Sequence, residues 1–537
     1  MKKLSIKILC AAVCAFTLFS IVGAPAFSTK ALADSNPISV IKVMDSNRAE
    51  VFATKLSPQT DETYNPQDRK WNGIPHIEIT EGGRLWATWY SGGANEPDVE
   101  NYIIVAYSDD NGLSWVDPFI LIESVDTTIR VLDPFMYTRK TGELIVYYHF
   151  GGARWELTIK NPDAAPIDIE WEQPKVTNVD LESCIQEPVR LKNGDLCIVS
   201  QPAYLSRTLD FMVSLDDGLT WSKRATVQST AEIKTISEAK TVQLNDGTLW
   251  LLARIDCGRG VERFVSTDNG YTWSAPEYDL PYPLIGPGSR FNVTKLKSGN
   301  LLFVTNDSTS ARTSLTAFLS TDDGRTWPYS LLLDGRANVT YPEICESNDG
   351  YIYCVWDKGR NVEKEVRLSV FNEQDIKDGA IHSAKGQHKT VVVKDNNYVE
   401  IVATNTTLKS YREVNLGTSK ADMLADLPTT LSVTFDNGDT MELTGEWKCI
   451  GYQPKKEGTY TATFDFNEKL PSKTTDAKDI LSVKVRVVKQ QEQSSSQTQP
   501  SGGCNGVVIG SIIGGVIIVC AAAVVILILN KRKNSKV

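Results

Sequence analysis

"STDDGRTW", residues 320–327, is the last of four versions of one phrase: "SDDNGLSW" stands at 108–115, "SLDDGLTW" at 214–221 and "STDNGYTW" at 266–273. Their closing tryptophans, Trp115, Trp221, Trp273 and Trp327, are separated by 106, 52 and 54 residues. The first gap is twice the others, and the degenerate "IEWEQP" with Trp171 falls near its middle. A fixed period near fifty marks a repeat architecture. Within each period "TVQLNDGTLWLLARI", "RLKNGDLCIVSQ", "KLKSGNLLFVTN" or "CESNDGYIYCVW" supplies a hairpin with Gly at its turn. A further strand and the phrase follow. About four short strands per period is the content of one propeller blade, and 45–383 has room for six. Inside the phrase the Asp can bond its own turn, the Gly takes the left-handed position and the Trp packs under the blade. Four copies argue for a hairpin lock rather than a catalytic group, since an active site needs one constellation.

The flanks read differently. Lys2, Lys3 and Lys7 precede an apolar run from Ile8 to Val22, and cleavage is expected after Ala33, so 1–33 reads as an export signal. The uncharged run Gly506–Leu529 is long enough to cross a bilayer, and the basic tail 530–537 predicts a cytoplasmic C-terminus. The expected location is therefore extracellular, on a single-pass anchor. The formal charge of −10 includes four positive charges in 1–33 and four in 530–537, so the stretch between carries about −18. Such a surface argues against nucleic acid as a partner, and an anionic ligand needs a local arginine cluster. The cysteines are too sparse for a disulfide framework. A two-residue Asp349-Gly350 turn would set Cys345 opposite Cys354, which leaves a bridge and two free thiols both open. Four scattered histidines show no ligand spacing, and no metal or cofactor is expected. After residue 385 the blade pattern stops. Residues 386–489, with "DNGD" and Trp447, alternate at period two and read as a small β-sandwich, and 490–505 is a polar linker.

The phrases resemble the Asp boxes of the sialidase (neuraminidase) superfamily, whose members are six-bladed β-propellers cleaving terminal sialic acid. The stretch 400–489 resembles bacterial Ig-like modules at "VTFDNGD" and "KKEGTYTATF". The expected architecture is all-β: a propeller over 34–385, an Ig-like module and a C-terminal transmembrane helix. The resemblance implies a tyrosine nucleophile activated by a glutamate, an aspartate general acid and three arginines on the substrate carboxylate. It places Tyr341 ("ANVTYPEI") as nucleophile and Glu238 ("ISEAKTVQL") as its partner. It places Asp98 ("SGGANEPDVEN") as the acid, with Glu96 and Glu100 nearby, and Arg312 ("SARTSLTAFLS") as one arginine.

The other two arginines depart from the pattern. Gly73 ("WNGIPHIEI") stands where the family opens its first blade with an R-I-P arginine. Arg259 and Arg263 are out of register for the middle one, for which Arg290 and Arg254 are substitutes. The glutamate that usually holds the first arginine is Asp357 here. "KWNGIPHIEITEGGRLWATWYSGG" also resembles a divergent bacterial branch, in which Trp71 or Trp89 offers a platform for a sugar ring. Arg130, Asp133 and Glu187 each begin an inner strand, and Asp133, Glu187 and Glu238 are expected to point toward one axis. The expected function is a surface exo-glycosidase acting on terminal sugars of glycans, sialic acid or another sugar. A glycosidase using Glu187 and Asp133, or a non-catalytic glycan-binding adhesin, are the alternatives.

Overall fold

The computed structural model describes residues 38–45, 48–56, 64–124, 128–178, 186–203, 206–255, 260–404, 411–436, 438–471, 474 and 480–489. The expected signal at 1–33, linker at 490–505, membrane helix at 506–529 and tail lie outside them. Among the described residues no helix is long and apolar enough to cross a membrane.

The fold is all-β. Six sheets follow one another in sequence, each beginning with a strand from one period. These first strands are Trp71–Ile79, Val131–Thr138, Val189–Arg190, Ile236–Gln243, Asn292–Lys295 and Val339–Glu346. The strand of the sixth sheet packs against that of the first, so the sheets close into a propeller-like ring. Two strands, Ile38–Asp45 and Arg48–Leu56, extend the first blade, joining Val116–Ser124 in parallel. The sixth blade ends on Gln387–Val393, so its sheet runs past the expected boundary at 385. The inner hairpins share one turn, in which N–H of the first residue bonds the carbonyl of the fifth, as in Leu244–Thr248 (2.8 Å) and Ser347–Tyr351 (2.9 Å). The glycines Gly247 and Gly350 sit at φ +96° and +80°. This five-residue turn, rather than a two-residue one, pairs Cys345 with Tyr353 and Ile344 with Cys354. A one-residue offset sends the two cysteines to opposite faces, and both thiols are free.

The repeated phrase is a lock, as its chemistry suggested. In the last copy Ser320 Oγ donates to Asp322 (2.8 Å), Thr326 N–H donates to the same carboxylate (2.9 Å) and Gly324 N–H donates to Ser320 Oγ (2.8 Å). The copies at 108, 214 and 266 repeat these bonds. Each phrase glycine also presses on the preceding blade. A Cβ on Gly270 would lie 2.2 Å from the Phe211 ring, one on Gly324 2.6 Å from Trp250, and one on Gly112 2.2 Å from Leu368 of the sixth blade. The phrase therefore closes its hairpin and seats one blade on the next.

Beyond Val393 a six-stranded sheet surrounds its own core of Leu431, Val433, Trp447, Phe464 and Val485. Its first residues join the fifth and sixth blades through a buried ion network, with Glu400 bonded to Arg336 (3.2 Å) of the fifth and to Arg367 (2.6 Å) and Lys389 (3.2 Å) of the sixth.

Candidate active site

Four inner strands carry the same irregularity. Blade one skips from Gly73↔Tyr90 to His76↔Thr88, three residues against two, and blades two, four and six do so at Leu132/Phe135, Ser237/Lys240 and Thr340/Glu343. Each is a β-bulge whose first residue is left-handed: Ile74 (φ +56°), Asp133 (+50°), Glu238 (+44°) and Tyr341 (+59°). Non-glycine residues there are strained by roughly 1–2 kcal/mol, and bulges re-aim side chains. The bulges set three candidate groups, Asp133, Glu238 and Tyr341, at equivalent positions in their blades. Proline follows in three of the four, at Pro75, Pro134 and Pro342, where a missing N–H costs no ladder bond. Glu187-Pro188 repeats the pair in blade three.

Tyr341 and Glu238 meet, although 103 residues apart: the phenol donates a short hydrogen bond to Glu238 Oε1. Arg254, across the hairpin from Ser237, donates from Nη1 to Glu238 Oε2 (2.5 Å) and to the phenol oxygen (3.0 Å). Burial and then the Glu238 charge push the phenol well above the ordinary tyrosine range, so it is protonated at rest. Burial opposes ionisation of Glu238, but Arg254 and the phenol outweigh it and hold the carboxyl below its ordinary value. The pair is thus a neutral phenol donating to a carboxylate able to take its proton.

Guanidinium groups surround the ring. Those of Arg360, Arg290 and Arg312 lie 4.2, 4.8 and 5.7 Å from its centroid. The Arg312 side chain makes no hydrogen bond or ion pair among the described residues, and the residue is partly exposed. Arg290 is different. It is 1 % exposed, donates to Pro75 O (2.9 Å) and lies 3.5 Å from Glu343, so it braces the ring and cannot meet a ligand as expected. Arg263, on an outer strand, bonds Glu277 (3.1 Å). Arg360 was assigned no role from the sequence. It donates from Nε to Asp357 (2.9 Å) and from Nη1 to Glu96 (3.1 Å).

Other expected residues are redistributed. Asp98 accepts from Ala94 N–H (2.9 Å) and Glu100 N–H (3.0 Å), bonds that keep its carboxyl below the ordinary range. It caps its own loop, and the group that loop sends to Arg360 is Glu96. Asp133 carries a carboxyl raised to about 6, chiefly by burial, with Glu96 and Glu238 adding to the rise against Arg154 and Arg130. Trp71 is 3 % exposed and stacks on Tyr90 at 4.6 Å, and Trp89 is fully buried, donating to Asn72 (3.1 Å). Neither offers a face to a sugar.

Two residues beyond the four bulges, at the same inward phase, lie His76, Phe135, Lys240 and Glu343, three of them polar and forming a second layer. Glu187 belongs to it. Its carboxylate pairs with Lys240 and lies 3.4 Å from His76 Nε2, while Lys240 is 3.6 Å from Glu343. Glu187 is thus spent on the channel interior, not on a ligand. His76, Glu187 and Glu343 are close enough to suggest a metal. His76 Nδ1, however, accepts from Met136 N–H (3.3 Å), which leaves the proton on Nε2, and the Lys240 ammonium already supplies the positive charge. The set does not fit a metal.

Comparison with known proteins follows this geometry. The BNR repeat-like domain matches residues 83–354, just over half of the sequence. A sialidase of Micromonospora viridifaciens is 24 % identical over 401 residues, 65 % of this chain and 58 % of the relative, so the chain spans less than two thirds of that protein. Among solved structures, the Hadza microbial sialidase Hz136 is 20 % identical, over 57 % of this chain and 66 % of its own, with a TM-score of 0.47. The leech intramolecular trans-sialidase is 13 % identical, over 62 % and 74 %, with a TM-score of 0.46. The domain match over half of the sequence, with the repeated phrases inside it, places the chain in the BNR repeat-like, sialidase-like superfamily.

Proposed function

We propose that the protein is a retaining exo-glycosidase of the sialidase type, acting on terminal sugars of glycans. The observation that carries this reading is the Tyr341–Glu238–Arg254 cluster, a phenol on a carboxylate with an arginine on both. Tyr341 Oη attacks the anomeric carbon as its proton passes to Glu238. Asp133, the carboxyl raised to about 6, gives its proton to the departing glycosidic oxygen in place of Asp98. The bond from anomeric carbon to leaving oxygen breaks and a glycosyl-tyrosine forms. Water then attacks the same carbon, losing a proton to Asp133, while Glu238 returns its proton to the released phenolate. Two displacements give net retention.

A neutral phenol suits an acidic sugar, since it does not repel a carboxylate as an aspartate or glutamate nucleophile would. Turnover of an aryl glycoside panel by the wild type, lost in Tyr341→Phe with the fold intact, tests the reading. Glycan binding without turnover of any glycoside would favour an adhesin instead. The reading extends to a protein exported and held at the cell surface, supported by the apolar runs Ile8–Val22 and Gly506–Leu529, with the Ig-like module as a spacer. Release of activity from intact cells by external protease tests that part.

A further inference from the structure

Below Tyr341, blades one, three, four, five and six send His76, Glu187, Lys240, Arg290 and Glu343 into one buried layer. Glu343 is fully buried at its centre. It accepts from Asn292 Nδ2 (2.7 Å), lies 3.6 Å from Lys240 and 3.8 Å from His76, and faces Arg290 at 3.5 Å. Lys240 bonds Glu187 more closely. One carboxyl oxygen of each glutamate is buried with no hydrogen bond among the described residues, and the two glutamates and His76 bring ligand atoms within 4.8 Å of one another. Two carboxylates this close in a buried site do not both ionise. Burial opposes ionisation of Glu187, but the Lys240 charge outweighs it and holds that carboxyl well below its ordinary range. At Glu343 burial and then the Glu187 charge prevail over Lys240, and the carboxyl is held well above its range. Burial also favours neutral His76. The pair of glutamates thus keeps one proton, on Glu343, which gives the orphaned oxygens a donor.

Arg290 connects this layer to the nucleophile. Its Nη2 donates to Pro75 O (2.9 Å) and Tyr341 O (3.4 Å), carbonyls in the bulges of blades one and six, and its guanidinium lies 4.8 Å from the Tyr341 ring. We infer that Glu343 is a positioning residue for the nucleophile: with its proton it leaves Arg290 on the Pro75 and Tyr341 carbonyls, and without it draws Arg290 off them and unseats Tyr341. The inference rests on the glycosidase reading above and adds a control of that site from below. An ionised carboxylate at 3.5 Å competes well with two neutral carbonyls, since charge-assisted bonds are roughly twice as strong. Tyr341, at φ +59°, keeps its strained backbone only while its surroundings over-determine it. The proton leaves to water by way of Glu187, which is partly exposed. Facing Glu343 besides Glu187, Lys240, Arg290 and His76 are Glu78, two residues below His76, and Cys354 on the neighbouring strand. Burial pushes the Cys354 thiol far up, and it lifts the Glu78 carboxyl to about 8, with the Glu187 charge adding to the rise.

The test, on the full chain, reads the proton and the tyrosine separately. Infrared difference spectra near pH 9, where Asp133 and Glu78 are largely ionised, should show a protonated-carboxyl band in the wild type that Glu343→Gln lacks. Glu187→Gln removes the charge that keeps the proton in place, so Glu343 should ionise against Lys240 between about pH 5 and 8. The carbon-13 signal of labelled Tyr341, assigned by its loss in Tyr341→Phe, should then gain a transition in that window. Over the same window kcat/KM for an activated aryl glycoside should fall roughly ten- to a hundredfold further than in wild type. Adding Glu343→Gln, whose amide copies the protonated acid, should remove the transition and rescue the rate, and adding Glu78→Gln should do neither. A missing band, or a transition that survives in the Glu187→Gln, Glu343→Gln double variant, overturns the inference. If Glu187→Gln does not fold, Glu343→Gln decides: the band must be lost and the Tyr341 signal must stay where the wild type has it. The expected band and Tyr341 transition with no turnover of any glycoside would sink the glycosidase reading alone.

Discussion

Asp133→Asn separates the acid from the scaffold. The folded chain raises this carboxyl from an ordinary value of 3.8 to about 6. A rise of that size corresponds to at most ~3 kcal/mol. The sign follows from proton uptake. Between pH 4 and 6 the folded state keeps a proton that the unfolded chain has released, so stability falls through that window and is flat above it. Asparagine cannot ionise and removes the cost. Urea denaturation should find Asp133→Asn and wild type alike near pH 4, and the variant more stable by up to ~3 kcal/mol at pH 8. Activity should move the other way. Glycosides with poor leaving groups should lose roughly 10²–10⁴-fold, activated aryl glycosides far less, and the alkaline limb near pH 6 should vanish. A variant less stable than wild type at pH 8, or an unchanged alkaline limb, would refute the reasoning.

Gly270→Ala places a methyl 2.2 Å from the Phe211 ring at φ +83°, and should destabilise by roughly 2–4 kcal/mol from strain and overpacking. Gly247→Ala, at φ +96° with open space around it, should cost only the strain, roughly 1–2 kcal/mol. Equal losses on denaturation would remove the inter-blade role of the phrase. Glu400→Gln strips a shared countercharge from buried Arg336, Arg367 and Lys389 and should cost about 3–5 kcal/mol. A melting temperature within error of wild type would contradict that network.

The repeat was legible because its chemistry is local. Ser, Asp, Gly and Thr bond one another within six residues, so every copy had to be spelled out, as at Ser320–Thr326. Tyr341 and Glu238 were placed by the family resemblance, and the structure joins them. What the sequence hid depends on contacts between blades. Arg360 sits in an ordinary Lys-Gly-Arg turn, and its place is decided by Gly73, far away in the chain but adjacent at the ring closure. Asp98 and Glu96 share one loop, and only the fold turns one to its own backbone and the other to Arg360. Glu187 precedes a proline at the start of its inner strand as Asp133 does, but Lys240 and His76 claim it. One signal was present and unread: Ile-Pro, Asp-Pro, Glu-Pro and Tyr-Pro recur at the starts of inner strands, and three of these four pairs mark bulges. The cysteine pairing failed on a turn length, since Ser347–Tyr351 holds five residues where Asp-Gly suggested two.

Peptide mass spectrometry of the enzyme quenched with acid during turnover of a glycoside it cleaves reads the nucleophile itself. The peptide containing Tyr341 should be heavier by one glycosyl unit, with the label on the phenol and absent from Glu238→Gln, which cannot take its proton. A label on Asp133 or Glu187, or rapid turnover with no covalent species and inverted product, would contradict a tyrosine-centred site.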